Sequence, residues 1–408
     1  MADLLGFTAI TFVSLITLII AFRWSEISKV LIVALIIRIL ILLIGHYIIP
    51  LPGSTDDALG FERTAWQLGK NGFFDLLTHF DFGPFVFFSW FQAIPYALFG
   101  RSILIGQSIS LLFGIGTIFI SWKLAKILWD NNIAKKVAWT VALFPSLVLY
   151  SVLYLREIYI SFFILLALYG VVSWFKNNSY KWIFLSLIGF VGAALLHGPM
   201  IVGAIIFIIF IFTAYLKKLF KSLVKLRINL GNLVILLLSI TIIGLYFTNK
   251  ISIAYLGNFE HSIDVDFILL KTQYAYAGDA SWPEWTKAES GIELLYKAPV
   301  RSVYFVLSPF PWDIKKPEHL LGLLDSLLYF YLAVLILLNI KVIWKNPASR
   351  MILIILLAYI FVYGFGVGNF GTGIRHRVKF VFLFILLAAP LLKKFTFKNS
   401  EKNKARIQ

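Results

Sequence analysis

About eleven stretches of this chain are apolar for long enough to cross the hydrocarbon layer of a membrane, and nothing else in it limits the fold as strongly. They are Leu5–Phe22, Val30–Ile49, Ile103–Ile120, Val137–Val152, Ile158–Phe175, Trp182–Leu196, Met200–Leu216, Leu230–Thr248, Leu320–Ile340, Met351–Val367 and Val378–Leu392. Inside a bilayer the backbone has no water to bond, so a run of this kind has to be a helix. The expectation is an all-α polytopic membrane protein. With 60% hydrophobic residues, 14% charged residues and a mean hydropathy of +0.88, a soluble globular domain is excluded. The chain has no cysteine, which excludes disulfides, thiolate metal sites and cysteine nucleophiles.

The formal charge of +17 points toward nucleic acid only if the cations are scattered, and they are not. Alternate loops collect them: Arg23 and Lys29; Lys123, Lys126, Lys135 and Lys136; Lys176 and Lys181; Lys217, Lys218, Lys221, Lys225 and Arg227; Lys341, Lys345 and Arg350; and the tail after Leu392. Only Glu26, Asp130 and Glu401 share those loops, so the positive-inside rule puts them in the cytoplasm and no nucleic-acid partner is needed. The first helix lacks a basic leader and a small-residue cleavage site, which reads as a retained span. One membrane domain is expected over residues 1–392, with outer loops at 51–101 and 249–319 and a basic tail at 393–408. The implied location is a multi-pass protein of the plasma or inner membrane.

The first long polar interruption is Thr55 to Leu77. Asp56 and Asp57 follow possible capping residues, and Ala58, Phe61, Ala65 and Leu68 then share one face at helical spacing, ended by Gly69 and Gly72. This is the pattern of an amphipathic helix lying along a membrane surface with its acidic start in water. Pro84 to Phe99 is apolar enough to span. Pro95 and the charge count oppose that, because a span there would move Lys123 to Lys136 outside, so an interfacial or re-entrant helix is expected.

Residues with chemical potential collect on the side opposite the basic loops: Asp56 and Asp57, Arg156 and Glu157, His197, the loop acids Glu260, Asp264 and Asp266, and Arg375-His376-Arg377. A carboxylate at an interface can take a proton from a hydroxyl, and arginines can hold a phosphate while charge develops on it. Each has a plainer reading. The aspartates can cap a helix, Arg375, Arg377 and Lys379 can anchor at the headgroups, Arg156 and Glu157 can be a structural pair, and His197 beside Gly198-Pro199 can simply end a helix. Arg38 lies inside an apolar run and is expected to reach back to the basic side; it is almost the only charge within a span, which argues against a transporter. No Walker A loop, dinucleotide glycine pattern, HExxH or GxSxG is present.

Four stretches resemble the C-type membrane glycosyltransferases, the superfamily of protein mannosyltransferases and aminoarabinose transferases. The run from Asp57-Ala58 through Phe61, Ala65, Leu68 and Gly72 is similar to the first-loop motif, with Phe61 where Tyr is common and Asp56-Asp57 where Asp-Glu is common. Gly83-Pro84, the run to Leu98-Phe99-Gly100-Arg101-Ser102, Gly114 and Lys123 to Lys126 resemble the second juxtamembrane helix and next span. Phe144-Pro145-Ser146 through Arg156-Glu157 is similar to the region holding a second acid, and Arg375-His376-Arg377 to a late basic stretch. The extra leading helix and the absence of a folded soluble carboxyl-terminal domain argue against an oligosaccharyltransferase.

The resemblance implies a GT-C-like fold and inverting transfer of a sugar from a polyprenyl-phosphate or diphosphate carrier to a lipid, glycan or protein acceptor on the outer face. Asp57, with Asp56 as the alternative, would be the general base. Arg375 and Arg377 would steady the phosphate leaving group, with His376 and Arg156 beside them, and Glu157 would orient the donor or a divalent metal. Two other classes remain open: a polysaccharide polymerase or ligase using lipid-linked repeats, and a lipid-sugar transporter or flippase.

Overall fold

The computed structural model describes residues 2–80, 84–224, 230–248, 269–270, 278–316 and 319–392. Gly83, Lys225, Arg227, the acids Glu260, Asp264 and Asp266, and the basic tail lie outside the described residues. Among the described residues the chain is all-helical with no strand, and the architecture is that of a polytopic membrane protein. Seven of the expected apolar runs are long and apolar enough to cross: Asp3–Arg23, Ser25–Tyr47, Ile103–Leu128, Glu157–Asn177, Gly198–Phe220, His319–Leu338 and Pro347–Gly366.

The α-helices are α1 (Ala2–Arg23), α2 (Ser28–Tyr47), then α3 (Asp57–Gly69), α4 (Phe73–Thr78) and α5 (Pro84–Phe99) in the first loop, and α6 (Ile103–Leu128). Then come α7 (Asn131–Leu143), α8 (Pro145–Tyr150), α9 (Glu157–Asn177), α10 (Tyr180–Leu196), α11 (Ile201–Val224) and α12 (Leu230–Phe247). The last third holds α13 (Gly291–Leu307), α14 (His319–Leu338), α15 (Ile340–Lys345), α16 (Pro347–Gly366), α17 (Phe370–Arg377) and α18 (Val381–Ala388). At the centre stands α9, packed on α6 and α10. Its approach to α10 needs small residues: a Cβ on Gly170 would stand 2.7 Å from the Trp182 carbonyl oxygen.

Two expected runs are interrupted. Val137–Val152 breaks between α7 and α8, because Pro145 pushes Phe144 out of the helical region to φ −64° and ψ 120°. The chain then runs without a helix from Ser151 to Leu155, fully inside the protein, where irregular backbone is tolerated at membrane depth. Val378–Leu392 is a succession of 3-10, α and 3-10 turns, buried from Val378 to Ala389.

Arg38 corrects an expectation. It is buried rather than extended toward the basic side, and its Nη1 donates to the Ala142 carbonyl at 2.8 Å. That carbonyl is in the last turn of α7, where the break has removed its helical partner, so the guanidinium caps the broken helix.

The bundle has two unlike ends. At one, Lys126 pairs with Glu26 at 3.1 Å, Lys136 donates to the Leu392 carbonyl at 2.6 Å, and Lys218 to Asn178 at 3.2 Å, so these basic segments gather together. At the other lies the first loop. There α3 buries Ala58, Phe61 and Ala65 as its spacing predicts, with Gly69 buried in place of the expected Leu68, which is half-buried, and packs on α5 with Phe61 edge-on to Phe88 at 5.0 Å. With 16 residues, α5 is short for a crossing of its own.

Candidate active site

Three helix termini that are far apart in sequence meet at the first-loop end. Asp57 is the first residue of α3, Glu157 the first of α9, and Arg375 lies in the last turn of α17. The start of α17 is fixed by Asn369, whose side chain accepts from the Thr372 amide at 2.7 Å, and by the bridge from Ser281 to Asn369. Arg301 braces the preceding turn, donating to the carbonyls of Gly364, Thr286, Phe365 and Val367, each at 2.9 Å.

Arg375 is the hub. Its Nε donates to Glu157 Oε1 at 2.6 Å, and its Nη1 is ion-paired with Asp57 Oδ2. Burial by itself lowers the pKa of this guanidinium, but the Glu157 and Asp57 carboxylates outweigh burial and raise it above its ordinary value. Glu157 is 1% exposed and Asp57 57%, so one carboxylate is locked inside while the other stands at the opening. Glu157 Oε2 and Arg375 Nη2 are buried and have no hydrogen-bond partner among the described residues.

Behind this pair lies a second layer. Lys379 Nζ stands 4.0 Å from Glu157 and 2.7 Å from His376 Nδ1. Burial first, then the positive charges of Lys379, Arg375 and Arg156, hold the His376 pKa well below the usual histidine range. His197 ends α10 as its sequence context suggests, yet its ring also bonds the Tyr363 hydroxyl at 3.0 Å and meets His376 edge-on at 5.2 Å. Arg156 donates to the Leu196 carbonyl at 3.1 Å, and its guanidinium lies 5.3 Å from the Phe61 ring, tying α3 to α10.

Of the sequence candidates, Asp57, Arg156, Glu157, Arg375 and His376 are brought together. Asp56 precedes α3 with φ 46° and its carboxylate accepts from the neighbouring Thr55 hydroxyl at 3.2 Å; it makes no helix-capping bond. Arg377 points elsewhere. It is fully buried, donates to the carbonyls of Val306 and Ser308 at 2.6 and 2.7 Å, and pairs with Asp325 at 3.3 Å, which leaves it closed to a substrate. Arg377 and Lys379 are therefore not headgroup anchors.

Sequence reading missed Asp325, Tyr363 and Arg301. Asp325 carried a usable signal, as an acid within an apolar run that demanded a partner; Tyr363 carried none. Among the described residues no three His, Cys, Asp or Glu side chains are grouped to hold a metal ion. The donor set also does not suit one: Asp57 and Glu157 share a guanidinium, with Lys379 close behind, so a divalent cation would meet positive charge.

Comparison with protein-family models, with curated proteins and with solved structures finds no match.

Proposed function

We propose that the chain is a membrane glycosyltransferase that moves a sugar from a polyprenyl-phosphate carrier to an acceptor hydroxyl, on the face away from the basic loops. The observation that carries this reading is the Arg375 guanidinium held between Asp57 and Glu157, with two buried polar atoms beside it that have no partner among the described residues. Arg156 and Arg375 balance the two carboxylates, so moving Asp57 off Arg375 leaves a guanidinium ready for an anionic substrate.

In this mechanism the donor phosphate takes the place of Asp57 on Arg375. The displaced carboxylate becomes free to accept the proton of the acceptor hydroxyl, whose oxygen attacks the anomeric carbon. The bond from that carbon to the phosphate oxygen breaks, its electrons stay on the phosphate, and Arg375 and Lys379 stabilise the added charge. Glu157 holds Arg375 in place throughout, and direct displacement inverts the anomeric centre.

The test is to incubate purified protein with a panel of short-chain polyprenyl-phosphate sugars and follow products by mass spectrometry. Release of polyprenyl phosphate with transfer or hydrolysis of the sugar is expected. Passage of an intact lipid-linked sugar across a vesicle membrane, with no release from any panel member, would replace transfer by transport.

A further inference from the structure

At the opposite end of the bundle, a cavity of about 360 Å³ is lined by Arg23, Trp24, Glu26, Trp122, Lys123 and Lys126, with Tyr169 behind. Three cations face one acid. Lys126 uses Glu26, bonding both its oxygens at 3.1 and 3.2 Å. Among the described residues Arg23 and Lys123 have no carboxylate partner and engage rings: Arg23 lies 5.8 Å from Trp24, and Lys123 5.1 Å from Trp24 and 4.5 Å from Phe119.

Placement at helix carboxyl ends accounts for Arg23 and Lys126, since cations there meet the negative end of the helix dipole. It does not account for Lys123, a turn further in and half-buried over the touching Trp24 and Phe119 rings. Ring faces are weak partners for a cation. An anion in the cavity would meet two charges that no carboxylate neutralises.

We infer that this cavity binds the phosphodiester headgroup of an anionic phospholipid from the leaflet on the basic side. A phosphate group is the shared chemistry, and three features favour a lipid as its source. The cavity sits where the apolar spans α1 and α6 end, and the end of a span is where headgroups are expected. Tryptophans line it, as they do membrane interfaces generally. The neighbouring surface of α1 exposes Ile19 and Phe22, at 67% and 84%, as a wall for acyl chains. Basic pockets between spans on the side of the positive loops are suited to such headgroups. The inference stands apart from the proposed transfer reaction, because none of its residues belongs to the Asp57 cluster.

Full-length protein in a neutral detergent is titrated with phosphatidylglycerol, phosphatidylcholine or inorganic phosphate, with bound species counted by native mass spectrometry. Phosphatidylglycerol should bind in preference to phosphatidylcholine and survive competition by inorganic phosphate. Lys123→Gln and Arg23→Gln should each weaken it about fivefold. Glu26→Gln should strengthen it by a similar factor, because it removes the one acid and releases Lys126. Equal binding of the two lipids, or an unchanged affinity in a Lys123→Gln protein of normal melting temperature, would overturn the inference. Inorganic phosphate binding as tightly as the lipid would overturn the lipid assignment. Should Lys123→Gln fail to fold, the Glu26→Gln variant decides: weaker binding there is the contrary result.

Discussion

Arg375 and Arg377 stand two residues apart on one eight-residue helix and meet opposite surroundings. Neighbours at that spacing face different sides of a helix, so a single turn delivers one guanidinium to the opening and the other to the interior. Arg377 spends its donors on two carbonyls, Ser326 and Asp325, all buried, in the way Arg301 spends its own on the turn after α16. Arg375 is held instead by two carboxylates, one of them exposed, while each of the two arginines keeps one buried nitrogen without a partner among the described residues. The difference teaches that charge in an apolar protein is not a mark of function by itself. What distinguishes the candidate site is a guanidinium with one of its two carboxylate partners exposed.

The largest expected effect is at the exposed partner. Asp57→Asn should lower the turnover of a lipid-linked sugar by about a hundredfold to ten-thousandfold, while leaving the melting temperature nearly unchanged, because Asn is close to isosteric but cannot take the proton. Asp56→Asn is the control and should stay near wild type. A large loss at Asp56 with none at Asp57 would move the base by one residue.

Arg377→Ala should act on stability instead. Removing it leaves Asp325 buried without its cation, a change of about 3–5 kcal/mol, read as a fall in melting temperature or in the yield of monodisperse protein. A stable Arg377→Ala protein that lost only donor affinity would erase the contrast drawn here. Arg375→Ala should lower turnover by about tenfold to a hundredfold through weaker donor binding, the worth of a charge-assisted hydrogen bond, with partial rescue by lysine. Kinetics of both variants on one donor would separate the two arginines.

The smallest perturbation tests the two ends. Since the chain has no native cysteine, single cysteines at Lys345 and at Trp285, which is exposed, report sidedness cleanly. Only the Trp285 position should react with an impermeant maleimide in intact cells. Labelling of position 345 from outside would invert the arrangement.

Much of this organisation is legible in the sequence. The apolar runs announce the seven long helices, the period of Ala58, Phe61 and Ala65 announces α3, and Pro145 carries the signal for the break after α7. Asp57, Glu157 and Arg375 are visible as polar residues beside spans. Their convergence is not, because it depends on how helices more than two hundred residues apart pack, as with the bond from Arg375 to Glu157. The buried fates of Arg38 and Arg377 were hidden for a related reason. Hydropathy records the cost of a charge but says nothing of the carbonyls or acids that offset it.

The most direct measurement is to find where a lipid phosphate sits. A polyprenyl phosphate bearing a photoreactive diazirine beside the phosphate is irradiated with the purified protein, and the modified peptides are mapped by mass spectrometry. Modification around Asp57, Glu157 and Arg375, lost in Arg375→Ala, is the predicted result. Modification confined to the Arg23 and Lys126 end, or unaffected by Arg375→Ala, would contradict the account.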